Sequence, residues 1–204
     1  MELQLRPDDD DGPARVVDAL AQQVLAEAAR LALEGVGERL EGPVVRPLQD
    51  AAAPAGQACA ARIIGNTVEG RLFALDARTG ALCPDFGTAG VVNLRERMGD
   101  IGPGYYYQTS APLIAGDRIV VGGWISDNQK IGEPAGALRA FDVRSGALLW
   151  AWDPGNPEAA KDPVSGDAYT LGTPNMWTHA AYDPALELIY APMGNAGTVW
   201  PWSF

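Results

Sequence analysis

The segment GRLFALDARTGAL, Gly70 to Leu82, returns as GALRAFDVRSGAL at Gly136 to Leu148. Both copies read A-x-D-x-x-[ST]-G, an apolar run of strand length followed at once by a turn signal. The chemistry of that signal is local. Asp76 and Asp142 can accept backbone hydrogen bonds in an Asx-type turn, and Gly80 and Gly146 supply the positive φ that closes it. The second copy runs on to Trp150, giving A-x-D-x-x-S-G-x-x-x-W, whereas the first has Pro84 at that place. A repeated unit that has strands but no core of its own must bury its faces against its neighbours. That is the sequence pattern of stacked propeller blades, so the expected fold is all-β.

The rest of the chain beyond Ala58 fits this reading. Arg62 to Gly65, Leu72 to Asp76, Arg118 to Gly122, Leu138 to Asp142, Leu148 to Trp152 and Leu188 to Pro192 are strand-length apolar runs bounded by Gly, Asp, Asn or Pro. Hairpins are the natural connection between them. Residues 1–58 are different: all 6 Trp, 6 Tyr and 4 Phe lie beyond them. Within that first part, Ala14 to Leu40 reads as an amphipathic helix, with Val17, Leu20, Val24, Ala28 and Leu31 on one face. The stretch GPVVRPLQDAAAPAGQA that follows reads as a linker or disordered segment, since its prolines interrupt a helix or a central strand. The expected organisation is a helical or disordered segment over 1–58 and a propeller part over 59–204. A mis-called start is the alternative for 1–58: the chain has only two Lys, Lys130 and Lys161, and such Arg/Ala-rich usage fits a GC-rich gene.

Charge and motif content exclude several functions. Fifteen Lys and Arg against 26 Asp and Glu give a net charge of −11, which leaves no basic face for a phosphate backbone, so nucleic acid is not an expected partner. No apolar run reaches the roughly 18 residues of a membrane helix, and MELQLRPDDDDG lacks the basic start and apolar core of a secretion signal. There is no G-x-S-x-G, P-loop or G-x-G-x-x-G. His179 is the one histidine, so no His/Cys cluster proposes a zinc site. Its expected role is that of a satisfied surface or interior residue.

From Cys59 to about Asn195 the chain resembles the quinoprotein dehydrogenases that use pyrroloquinoline quinone (PQQ), and within them the membrane-bound glucose and quinate dehydrogenase branch. The stretches that carry the resemblance are RIIGNTVEGRLFALDARTGALCPDFG, PGYYYQTSAPLI, VVGGWISDNQKIGEPAGALRAFD, LLWAWDPGNP and GTPNMWTHAAYDPALELIYAPMGN. The repeated motif looks like the tryptophan-docking motif that locks neighbouring blades. The resemblance implies an eight-bladed β-propeller, of which this chain would supply two to three blades.

PQQ is a flat tricarboxylic ortho-quinone, so its site needs an aromatic floor, polar groups for the carboxylates and oxygen ligands for a divalent cation. The resemblance places Trp177 beneath the cofactor; a core or inter-blade Trp is the alternative. It places Thr109 on a PQQ carboxylate, against an ordinary strand Thr. It places Asp127 and Asn128 beside the cofactor and cation, against a turn-forming pair, and Asp127 and Asn195 as candidate metal ligands for calcium or magnesium. Cys59 and Cys83 align with cysteines of the branch. In a periplasmic protein they could pair, closing a loop worth roughly 3 kcal/mol; two buried free thiols are the alternative.

By the same resemblance the catalytic aspartate and a basic residue near the quinone oxygens lie downstream of Phe204, and a substrate-contacting His lies upstream of Cys59. No catalytic residue is therefore assigned in this chain, which is expected to be a fragment inactive alone. The full enzyme would oxidise a sugar or cyclic polyol and pass electrons to a membrane quinone, in a periplasmic, inner-membrane-associated location. Two other readings are a cofactor-free β-propeller scaffold of the outer-membrane-assembly type and a non-functional pseudogene product.

Overall fold

The computed structural model describes the backbone of Pro47–Gln49 and residues 57–126, 131–158 and 168–194. Among the described residues there are twelve strands: β1 Pro47–Gln49, β2 Ala61–Thr67, β3 Arg71–Asp76, β4 Val91–Asn93, β5 Tyr106–Tyr107, β6 Leu113–Ala115, β7 Arg118–Val121, β8 Trp124–Ile125, β9 Leu138–Asp142, β10 Leu148–Trp152, β11 Ala181–Asp183 and β12 Leu188–Tyr190. All six runs expected from sequence are present as strands. No helix occurs among the described residues, and none there is long and apolar enough to cross a membrane. The amphipathic helix expected over Ala14–Leu40 lies outside the described residues.

Two four-stranded antiparallel sheets dominate. The first has the order β1-β2-β3-β4 and the second β10-β9-β7-β6. β11 and β12 form a further hairpin, and β5 pairs with β8. The Pro-rich stretch read as a linker contributes a strand. Pro47 pairs with Ile63 at the start of β1, on the edge of the first sheet. An edge position is where a proline does least harm, because its missing N–H removes no bond from an inner ladder. The sheet therefore reaches back across the boundary expected near residue 58.

Both repeated motifs fold alike. Asp76 Oδ1 accepts from the N–H of Arg78 at 3.0 Å and of Thr79 at 2.8 Å, and from the Thr79 hydroxyl at 3.0 Å. Asp142 Oδ1 accepts from Arg144 N–H at 3.1 Å, Ser145 N–H at 2.6 Å and the Ser145 hydroxyl at 2.7 Å. The carbonyl of each Asp then receives the following glycine's N–H, with Gly80 at φ +76 and Gly146 at φ +68.

The inner strands of the second sheet, β7 and β9, are buried on both faces. Ile119, Val121, Phe141 and Val143 meet Ile64, Leu72, Phe86 and Leu94 of the first sheet and the loops that follow it. On the other face, Val120, Leu138 and Ala140 meet Met176, Tyr182 and Ile189 of the hairpin segment. Alternate residues of β7 thus serve two cores, as period-two side-chain direction requires. Full burial of each such aliphatic side chain contributes about 1.5–3 kcal/mol. Trp150 packs into the second core, so the tryptophan that ends the motif joins its own sheet to the next hairpin.

Candidate functional site

The segment Thr173–Trp177 crosses the second sheet where glycines leave room for it. A Cβ on Gly136 would stand 1.9 Å from the Pro174 carbonyl oxygen, and one on Gly122 2.5 Å from that of Met176. Gly123 N–H donates to the same Met176 carbonyl at 2.9 Å, and Thr173 Oγ1 accepts from Gly136 N–H at 2.8 Å. The segment is thereby held from below by backbone. Trp177 emerges at its end with half of its surface exposed, at 50%. The indole edge lies against Gly194, where a Cβ would come within 2.8 Å of Trp177 Nε1.

Two hydroxyls meet at Trp177. Thr109 Oγ1 and Ser110 Oγ both donate to its main-chain carbonyl, the latter at 3.0 Å. Thr109 and Trp177, named from sequence, are therefore neighbours. Ser110 is a site residue that sequence alone does not mark, and its place beside Thr109 in the run QTS is the available signal. The hydroxyls border a crevice also lined by Asn66, Gln108, Met176 and Thr178.

Asp127, Asn128 and Asn195 lie outside the described residues. Asn175 Oδ1 accepts from Ile125 N–H at 3.4 Å, and Asn175 O accepts from Gly194 N–H at 2.7 Å. His179 is exposed. A larger open cleft elsewhere is lined by Glu69, Arg71, Arg95 and Glu96 and contains none of the residues expected from sequence.

Cys59 and Cys83 form a disulfide, with Cα atoms 5.8 Å apart, which decides between the two alternatives for these cysteines. Asp85 lies close to both sulfurs, but sulfurs bonded to each other are not thiolate ligands, so this corner is no metal centre.

An aromatic face beside paired hydroxyls suits a flat, carboxylate-bearing ligand. A family model described as "PQQ: Glucose/ethanol/alcohol dehydrogenase, beta-propeller domain" matches residues 35–199. The chain belongs to this PQQ β-propeller family. Quinate/shikimate dehydrogenase (quinone) of Acinetobacter baylyi is 42% identical over 165 residues, covering 78% of this chain and 20% of the relative. Quinoprotein glucose dehydrogenase of Escherichia coli is 44% identical over 136 residues, covering 67% and 17%. The glycerol dehydrogenase large subunit of Gluconobacter oxydans is 40% identical over 145 residues, covering 71% and 20%. The chain thus spans about a fifth of the length of the curated relatives it matches. Membership of a β-propeller family accounts for the two four-stranded antiparallel sheets.

Proposed function

We propose that this chain carries the cofactor platform of a PQQ-dependent dehydrogenase that oxidises a CH–OH group of a sugar or cyclic polyol. The observation that carries the reading is the half-exposed Trp177 indole flanked by Thr109 and Ser110. The donor set fits the group. An exposed indole offers a stacking face, and stacked aromatic contacts contribute about 0.5–1.5 kcal/mol beyond the area they bury. Both hydroxyls donate to one carbonyl, so Ser110 alone can hold Trp177 while Thr109 turns its proton toward a carboxylate. PQQ, when bound, supplies the two-electron acceptor for the alcohol carbon.

Asp127, Asn128 and Asn195 are proposed to complete the site. Asp127 and Asn195 bring oxygen atoms of the type that calcium and magnesium take. A divalent cation there would polarise the cofactor carbonyl. We further propose that the electrons pass to a membrane quinone and that the enzyme works at the periplasmic face of the inner membrane. The names of the relatives, dehydrogenases of quinate or shikimate, of glucose and of glycerol, support a small polyhydroxy substrate.

The test is tryptophan fluorescence under titration with PQQ in the presence of calcium or magnesium. Saturable quenching that disappears in Trp177→Ala is expected. Quenching that is absent, or unchanged in Trp177→Ala, overturns the platform reading and favours a cofactor-free scaffold.

A further inference from the structure

We infer that Asn66, in β2, and Gln108, in the segment that follows β5, are positioning residues for Trp177, acting through the Thr109–Ser110 hydroxyl pair; the inference rests on the reading of Trp177 as the stacking surface. Asn66 sits in β2 of the first sheet, and its Nδ2 donates to the Ser110 carbonyl at 2.9 Å and to Gln108 Oε1 at 3.4 Å. Gln108 is buried, at 8% exposure, and its Nε2 donates to Tyr106 Oη at 2.8 Å and to the Gly122 carbonyl at 3.2 Å. Behind it stands Arg139, 2% exposed, whose Nη2 donates to Tyr106 Oη at 3.0 Å and to the Leu94 carbonyl at 2.7 Å.

This chain of bonds has only one consistent direction. A guanidinium donates and never accepts, so Tyr106 Oη must accept from Arg139, and its own proton goes to the Gly122 carbonyl at 3.3 Å. A backbone carbonyl only accepts, which turns the Gln108 amide nitrogen toward Gly122 and leaves its oxygen for Asn66. Asn66 is then a donor twice over. The segment Gln108–Ser110 is consequently tied to the first sheet by Asn66 and to the second by Gln108. Between those ties its two hydroxyls meet the Trp177 carbonyl, which itself belongs to the segment leading into β11. An exposed aromatic side chain whose main chain is set by a half-buried amide of the first sheet and a buried amide bonded at the end of β7 is pre-organised for a ligand, and pre-organisation is what lowers the cost of binding.

The deciding change is Asn66→Asp, which keeps the size of the side chain and turns its donor into an acceptor facing two other acceptors. The protein is labelled with fluorotryptophan, and the Trp177 resonance is assigned as the one lost in Trp177→Phe. In N66D without ligand the Trp177 resonance is expected to shift or broaden while those of Trp150 and Trp152 stay in place. PQQ quenching should weaken by about threefold to tenfold, the loss of roughly one hydrogen bond. If N66D does not fold, Asn66→Ala removes the donor without adding charge and carries the same expectation. A Trp177 resonance that stays in place in a folded variant overturns the positioning role whatever PQQ does. A shifted resonance in a protein whose wild type never binds PQQ upholds the positioning role and overturns the cofactor reading instead.

Discussion

Arg62 donates from Nη1 to the main-chain carbonyl of Arg144 at 2.7 Å, so a buried cation of the first sheet holds the Asp142 turn of the second. The same guanidinium donates through Nε to the Cys59 carbonyl at 2.9 Å and through Nη2 to Asp85. Gly87 N–H adds a bond to the Ser145 carbonyl at 2.7 Å beside it. The two copies of the repeat are thus joined by the turn of one resting on the framework of the other.

Arg62→Met should lower stability by about 2 kcal/mol, since it keeps the aliphatic stem but orphans the Cys59 and Arg144 carbonyls. Asp85→Asn removes the other half of the ion pair, but Asp85 is 57% exposed, so its change should stay within about 1 kcal/mol. Urea unfolding of both variants makes the comparison. Equal losses would mean that the ion pair, and not the inter-sheet bond, is what Arg62 contributes.

The Cys59–Cys83 disulfide closes a loop with a sequence separation of 24. In the chain-entropy account this contributes about 3 kcal/mol. Replacing both cysteines by Ser should lower Tm by roughly 6–12 °C, at about 2–4 °C per kcal/mol for a chain of this size. Alkylation of the denatured, unreduced protein should find no free thiol. Two labelled cysteines in that experiment would remove the pairing itself.

Acid should weaken the two Asp turns before it weakens the apolar cores. Burial pushes the Asp76 carboxyl up, but the N–H groups of Cys59, Thr79 and Arg78 and the Thr79 hydroxyl together hold it below its usual 3.8. Asp142 is likewise raised by burial and brought below 3.8 by the N–H and hydroxyl of Ser145, the N–H of Arg144 and the Arg144 charge. A folded pKa below the unfolded one means stability that is present above about pH 4 and lost as the pH falls further. Asp76→Asn and Asp142→Asn should therefore be less stable than wild type at pH 7, by about 1 kcal/mol each for weaker turn bonds. The gap should narrow as the pH falls from 4 toward 3. Urea midpoints across that range check it, and a gap independent of pH would locate the acid sensitivity elsewhere.

The strands that sequence reveals are those bounded by their own turn chemistry. β3 and β9 each end on the Asp that begins a turn, β10 is a continuous apolar run, and β7 is one after its first residue, Arg118. The strands it hides are short or paired at a distance. β5 and β8 are two residues each and find each other across the whole β6–β7 hairpin, so neither shows a local pattern. β1 is masked by its own proline. The site divides in the same way. Trp177 and Thr109 are legible through a family resemblance, whereas Ser110 acquires its role only because a carbonyl 67 residues later comes to rest beside it. Asn66, in a strand, and Gln108, just past one, look like ordinary polar residues until the fold supplies the Ser110 and Gly122 carbonyls.

Gly136 gives the sharpest test of how the Trp177 segment is placed. It corresponds in the repeat to Gly70, yet the two glycines serve different ends. Gly70, at φ +78, closes the turn between β2 and β3, while Gly136 makes room for the Pro174 carbonyl, whose oxygen a Cβ would meet at 1.9 Å. That oxygen belongs to rigid backbone, so no side-chain rotation relieves the clash. Gly136→Ala should cost about 1–3 kcal/mol as an overpacked core change. It should also lift the segment that ends in Trp177, raising the accessibility of that indole to acrylamide. Gly102→Ala is the control: its Cβ meets only the Tyr105 ring, at 3.3 Å, which can move aside at a cost within about 1 kcal/mol. Loss of stability in G136A with Trp177 accessibility unchanged would show that the glycine serves packing alone. Loss of both, with G102A close to wild type, would place Gly136 among the residues that set the platform.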